Sequence, residues 1–203
     1  MSIETSINQR ERLLDHGVAY LTEKGYHGSG LKGLLESAGI PKGSFYYYFE
    51  SKDAFSAAVV AHYIQPFLDR LQTLMRNPEL SGQNILQTYF SNLITSAKEK
   101  DFTGGCLLGN LIGELGHDAG LLCRSALKTA MTSYQNVIAE VIRHGQSDGS
   151  IRPDLDPKDM AQLLVNQWQG ALLQAKLERS ADPLCQCLDA LIGRYFAHDP
   201  EQR

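Results

Sequence analysis

Lys42, Ser44, Tyr46, Tyr47 and Lys52 crowd one polar-aromatic stretch, KGSFYYYFESK, whose residue types suit contact with nucleic acid. Ammonium groups and phenol hydroxyls bond phosphate oxygens, and lysine and serine also reach the edges of bases in a DNA groove. Phe45 and Phe49 stand four residues apart within it, the spacing that puts two rings on one helix face. With those rings turned into a core, Lys42, Ser44, Tyr46 and Tyr47 face outward. Gly43 keeps the leading turn slim enough for backbone to approach a duplex. Lys52 falls in the first turn of the next element, where free amides and the helix dipole favour a phosphate. Aromatic runs are more often core than contact surface, but three consecutive tyrosines cannot all point inward from one helix. At least one ring is therefore exposed.

The elements that must position this stretch are helices. Leu14, Val18 and Leu21 recur at steps of four and three, predicting a first helix from about Ser6 to Lys24 that Gly25 ends. A second runs from about Ser29 to Ala38 with Leu31, Leu34 and Leu35 inward; Gly39 breaks it, and Pro41 opens a third to about Tyr47. Two short helices joined by a Gly-containing turn make a helix-turn-helix, whose second helix enters the major groove. Ser51 caps a long fourth helix carrying Phe55, Val59, Tyr63, Phe67 and Leu71, which Pro66 is expected to kink near His62. Ile85 to Ile94 marks another helix, Leu121 to Ile142 one more that Gly145 closes, and 145–156 a loop. Asp156-Pro157 and Asp182-Pro183 each predict an N-cap followed by proline, opening final helices over about 157–179 and 183–197. The fold class is all-α: a three-helix DNA-binding head at 1–52, and a helical sensing and dimerisation body at 53–203.

Composition fits a cytoplasmic protein with no membrane span, since no apolar run approaches the roughly 18 to 20 residues a bilayer requires. Its four cysteines, Cys106, Cys123, Cys185 and Cys187, form no CxxC pair and read as free thiols. Charge is less accommodating. The net charge is −4, and within residues 1–55 six Lys/Arg face seven Asp/Glu, so DNA binding must come from where the cations sit. Enzyme chemistry is not expected. The six histidines are scattered, without HExxH spacing, and there is no GxSxG elbow, phosphate-binding glycine loop or dinucleotide fingerprint. No metal and no cofactor are expected either.

Residues 8–55 resemble the N-terminal region of the TetR family of bacterial regulators. The likeness runs through Gly25-Tyr26, Ser29, Ala38-Gly39-Ile40-Pro41-Lys42-Gly43-Ser44, Phe45-Tyr46-Tyr47-Tyr48-Phe49 and Ser51-Lys52-Asp53-Ala54-Phe55. It implies a homodimer whose second and third helices read a palindromic double-stranded operator while the body binds an inducer. It also implies DNA contacts for Ser29, Lys32, Lys42, Gly43, Ser44, Tyr46, Tyr47 and Lys52, and action as a repressor. Gly30 and Gly33 depart from the pattern; two glycines in the second helix, at about 1 kcal/mol each, would leave the free head loose.

Residues 102–115 and 173–180 are similar to the branch of that family that senses electrophiles and oxidants, in which the cysteine corresponding to Cys106 reacts. Cys106 follows Gly104-Gly105 at a predicted helix start, where free amides raise the thiolate fraction, and Lys176 would add to this if the fold brings it near. A buried, inert cysteine lining a small-molecule pocket is the competing reading. Gly105, Gly109 and Gly113 recur every four residues and predict a face packed closely on another backbone; Gln167 and Trp168 suggest a pocket or a seam. Leu163, Leu164, Ala171, Leu172 and Ala175, with Leu184, Leu188, Leu191, Ile192 and Tyr195, predict a four-helix dimer interface. The functional alternative is a redox-responsive helical adaptor that does not bind DNA.

Overall fold

The computed structural model describes residues 3–28, 30–114 and 120–198. Among them the order is α1 Ile3–Gly28, α2 Leu31–Ala38, α3 Lys42–Tyr48, α4 Lys52–Met75, α5 Gly82–Glu99, α6 Leu107–Glu114, α7 Leu121–Asp148, α8 Pro157–Glu178 and α9 Asp182–Leu188. The last continues as a π-helical segment, Asp189–Tyr195. One isolated antiparallel bridge pairs Ile151 with Ala197. No described helix is long and apolar enough to cross a membrane.

The chain forms two compact units, 1–65 with 106–131, and 66–105 with 132–203. This cut differs from the division by role at 52/53. The reason lies in α4, whose Phe55 and Val59 pack so tightly on α1 at Gly17 that a side chain there would overlap both. The start of α4 is a wall of the first unit. That unit buries Leu13, Leu21, Leu34, Phe45 and Phe55, and Ser51 caps α4 as predicted, its hydroxyl accepting from Ala54 N at 3.0 Å.

Several boundaries have local causes. Gly25 ends the long first helix as expected: the backbone breaks there (φ 68°, ψ −174°), and only a short turn to Gly28 follows. Gly39 ends α2, in the left-handed region at φ 63°. At Gly33 an added Cβ would meet the Tyr20 hydroxyl, so this position also lies against a neighbouring side chain. Pro66 sits within α4, which continues as one helix to Met75.

In the second unit α7 runs through Gly145 to Asp148. Gly145 is buried where α7 crosses the start of α5 at Gly82, and a Cβ on Gly82 would overlap the Gly145 backbone. This glycine therefore marks a helix crossing, and Gly149, at φ 80°, follows the helix end. Asp156 caps α8, accepting from Lys158 N at 2.8 Å and Asp159 N at 3.2 Å. Asp182 is not a cap; it is the first residue of α9, with Ala181 before it. Trp168 is core, edge-on to Phe90 at 4.7 Å, while Gln167 is exposed.

The exposed apolar face of α8 differs from the predicted seam. Leu164, Ala171, Ala175, Leu184, Leu188 and Ile192 are buried inside the subunit, and a charge at Leu188 would disturb that core rather than an interface. Leu163, Leu173 and Leu177 are the leucines left in solvent on α8. Gly170 is exposed too, with open space where a Cβ would stand, and lies seven residues from both Leu163 and Leu177.

Candidate nucleic-acid interface

α3 is too short to be stable alone, since isolated helices under about 12 residues are marginal in water. Its position comes from aromatic packing. Phe45 is fully buried, with its ring centroid 5.4 Å from Phe55 and 5.6 Å from Phe49. Phe49 and Phe55 complete the cluster at 5.0 Å. With that face committed, Lys42, Gly43, Tyr46 and Tyr47 are exposed and Ser44 is half-buried. Tyr47 is 74% exposed, an unusual cost for a large ring unless the surface is used. Tyr48 is the third tyrosine of the run; it is half-buried, and its hydroxyl donates to Gln9 Oε1 at 3.2 Å.

The remaining expected contacts divide. Lys32 is exposed on α2, its ammonium 3.8 Å from Glu36. Ser29 lies outside the described residues. Lys52 does not extend freely toward solvent: Nζ donates to the Tyr26 carbonyl and stands 4.4 Å above the Tyr26 ring. Burial lowers its pKa, opposed by the nearby Cys123 and Glu114. Its first task is internal, joining the start of α4 to the end of α1.

Sequence reasoning does not single out Asp53, beside it. Its carboxylate accepts from Leu122 N at 3.0 Å and Cys123 N at 2.9 Å, capping α7. Glu114 escapes it too: Oε2 accepts from Tyr26 N at 2.8 Å and His27 N at 3.2 Å. These partners stand about 70 and 90 residues away along the chain, so no local pattern marks them.

Cys106 immediately precedes α6 and occupies its N-cap, its carbonyl accepting from Asn110 N at 2.9 Å. The thiol is half-buried, with the Tyr63 hydroxyl 4.0 Å from Sγ. The glycine face expected around it does not form, because Gly105 precedes the helix at φ 71° and Gly113 is open to solvent. Lys176 is exposed on α8, in the other compact unit. Cys123 is fully buried and burial raises its pKa to about 11. No group of three His, Cys, Asp or Glu among the described residues is placed to hold a metal ion.

A family model for bacterial regulatory proteins of the tetR family matches residues 13–59, and one for a tetracyclin repressor-like C-terminal domain matches 82–191. The HTH-type transcriptional repressor DhaR of Mycobacterium sp. (strain GP1) is 34% identical over 88% of this chain and 88% of its own. The HTH-type transcriptional repressor NemR of Escherichia coli K12 is 31% identical over 91% of this chain and 92% of its own. The crystal structure of E. coli NemR in its reduced form superposes with a TM-score of 0.82, covering 95% of this chain and 98% of that one. The regulator CifR, as a cysteine mutant with 26-bp double-strand operator DNA, shares the fold at a TM-score of 0.78 and 23% identity, covering 92% of this chain and 96% of that one.

Thiol reactivity follows from burial and ionisation, since the thiolate is the nucleophile. With a pKa of about 11, Cys123 is ionised on the order of one part in a thousand at pH 8. Iodoacetamide applied to native protein at pH 8 should therefore label exposed Cys185 well before Cys123, as read by peptide mass spectrometry. Equal labelling of the two would contradict the packing around α7.

Proposed function

The chain belongs to the TetR family of bacterial regulatory proteins, and from that premise we propose that it is a homodimeric repressor in the cytoplasm that reads a palindromic operator through α3. The observation that carries this reading is the division of one seven-residue helix: Phe45 held in the core, Tyr46 and Tyr47 held out of it. Lys42, Ser44, Tyr46 and Tyr47 take base edges and phosphates, with the Gly43 backbone close to the duplex. Lys32 extends the contact along α2, Ser29 remains an expected contact from the family resemblance, and Lys52 contributes by fixing the start of α4. DNA readout needs two heads about one helical turn, roughly 34–36 Å, apart, which a two-fold dimer supplies.

Operator binding tests the head. Lys42→Ala and Tyr47→Ala should each weaken binding to a palindromic fragment from upstream of the protein's own gene by about 1–3 kcal/mol, with helicity and mass unchanged. Wild-type affinity in both variants would remove α3 from the interface.

The dimer forms across the α8 face of Leu163, Gly170, Leu173 and Leu177. Seven-residue spacing keeps such residues on one seam, and Gly170 lets a second helix approach closely. Leu177→Glu would bury an unpaired charge there, so sedimentation should show folded monomers. A tight dimer in that variant would place the interface elsewhere.

Signal enters at Cys106. An electrophile or oxidant that modifies the half-buried thiol adds bulk at the N-cap of α6, and packed interiors do not absorb such bulk locally. Overpacking costs about 1–3 kcal/mol per site, so two modified subunits shift a bound population substantially. Exposed Lys176 joins this response only if oxidation draws the body and thiol together. Hypochlorite or an alkylating agent should release operator from wild type and spare Cys106→Ser. Equal release from both would make a reversible small-molecule inducer the signal instead.

A further inference from the structure

Four element ends meet at Tyr26, all within the first compact unit. The break at Gly25 leaves the amides of Tyr26 and His27 at the start of a fresh turn, and both donate to the Glu114 carboxylate from the end of α6. His27 Nε2 bonds the Glu114 carbonyl at 3.1 Å, so the last residue of α6 is gripped from both its side chain and its backbone. Gly25 is required for this approach: φ is 68°, and any side chain would occupy the space of the Glu114 carboxylate. Above, Lys52 of α4 holds the Tyr26 carbonyl and covers its ring. The Gly120 backbone, just before α7, bonds the Tyr26 hydroxyl. α4 in turn carries Phe55, which seats Phe45 of the reading helix.

We infer that Glu114 is a positioning residue for DNA reading: its carboxylate fixes the end of α1 and, through Tyr26 and Lys52, the start of α4 against which α3 is docked. The inference rests on α3 being the reading helix. It deepens that reading by naming a residue that touches no DNA and yet sets operator specificity. It also gives α6 a mechanical role. This helix starts directly after Cys106 and ends at the clamp, and at about 1.5 Å per residue it is a rod of roughly 12 Å.

Simple electrostatics gives the opposite expectation. Removing a negative charge from a DNA-binding head favours DNA, so a bystander Glu114 would bind DNA equally or more tightly when neutralised. The test is Glu114→Ala, which removes the oxygen that accepts from both amides, measured as full-length dimer against operator and against random duplex of equal length. Operator affinity should fall tenfold or more while random-duplex affinity stays level or rises, because phosphate attraction survives a mispositioned reading helix. Mere destabilisation would lower both affinities together with the folded fraction. Hydrogen exchange at the Tyr26 and His27 amides should accelerate without a matching change in α5 or α8. A Glu114→Ala dimer that keeps its operator-to-random ratio, or its slow exchange at these two amides, overturns the inference. A wild-type protein that prefers no operator overturns the function itself, a separable result.

Discussion

A seven-residue helix has too few internal hydrogen bonds to offset the entropy of forming it, so α3 exists because Phe45 is docked. Burying a phenylalanine ring is worth about 1.5–3 kcal/mol, and an edge-on contact with Phe55 and a tilted one with Phe49 add about 0.5–1.5 kcal/mol per pair. Everything on the outer face follows from that anchor. Once Phe45 and Phe49 fix the helix rotation, Tyr46 and Tyr47 have no inward direction left. α4 is the other half of the device, since Phe55 comes from its first turn and Ser51 fixes where that turn begins. The reading surface is therefore only as rigid as the start of α4.

That start is held by a carboxylate and an ammonium as well as by hydrocarbon. Asp53 caps the amides of Leu122 and Cys123, while Lys52 bonds the Tyr26 carbonyl. Charge-assisted bonds of this kind are directional, so they fix angles that apolar packing leaves soft. They stand between α3 and the helices that follow Cys106 and Gly120.

The head was legible because its determinants are local. The Phe45–Phe49 spacing, the Gly39 break, Pro41 and the Ser51 cap each act within four residues, and each stands where the pattern put it. What sequence missed involves partners far along the chain. Gly145 looked like a helix end because its real cause, the crossing with Gly82, is invisible in one dimension. The α8 face was misjudged differently: both faces of that helix are apolar enough to fit a helical period, and only packing shows that Leu164 and Ala175 are spent on the core while Leu173 and Leu177 are not. The 163–170–177 repeat was readable, and a seven-residue test would have found it.

The charge balance explains why such a face matters. Four of the six cations in residues 1–55 have partners within the protein: Arg10 lies 5.3 Å over Phe49, Lys24 pairs with Glu23, Lys32 faces Glu36, and Lys52 is turned onto Tyr26, while Arg12 is exposed. Lys42 remains at the leading edge of α3, 5.9 Å from the Tyr46 ring. Counterion release scales with the number of phosphates neutralised, so a head this sparing in cations gains little from phosphate attraction alone. Its free energy must come from hydrogen bonds and ring contacts that fit one sequence, and a single head offers few of them. Two heads on one rigid dimer add their contacts while losing translational and rotational freedom only once. For an acidic chain of a DNA-binding family, the seam proposed on α8 is then as much a part of the proposed recognition as the tyrosines on α3.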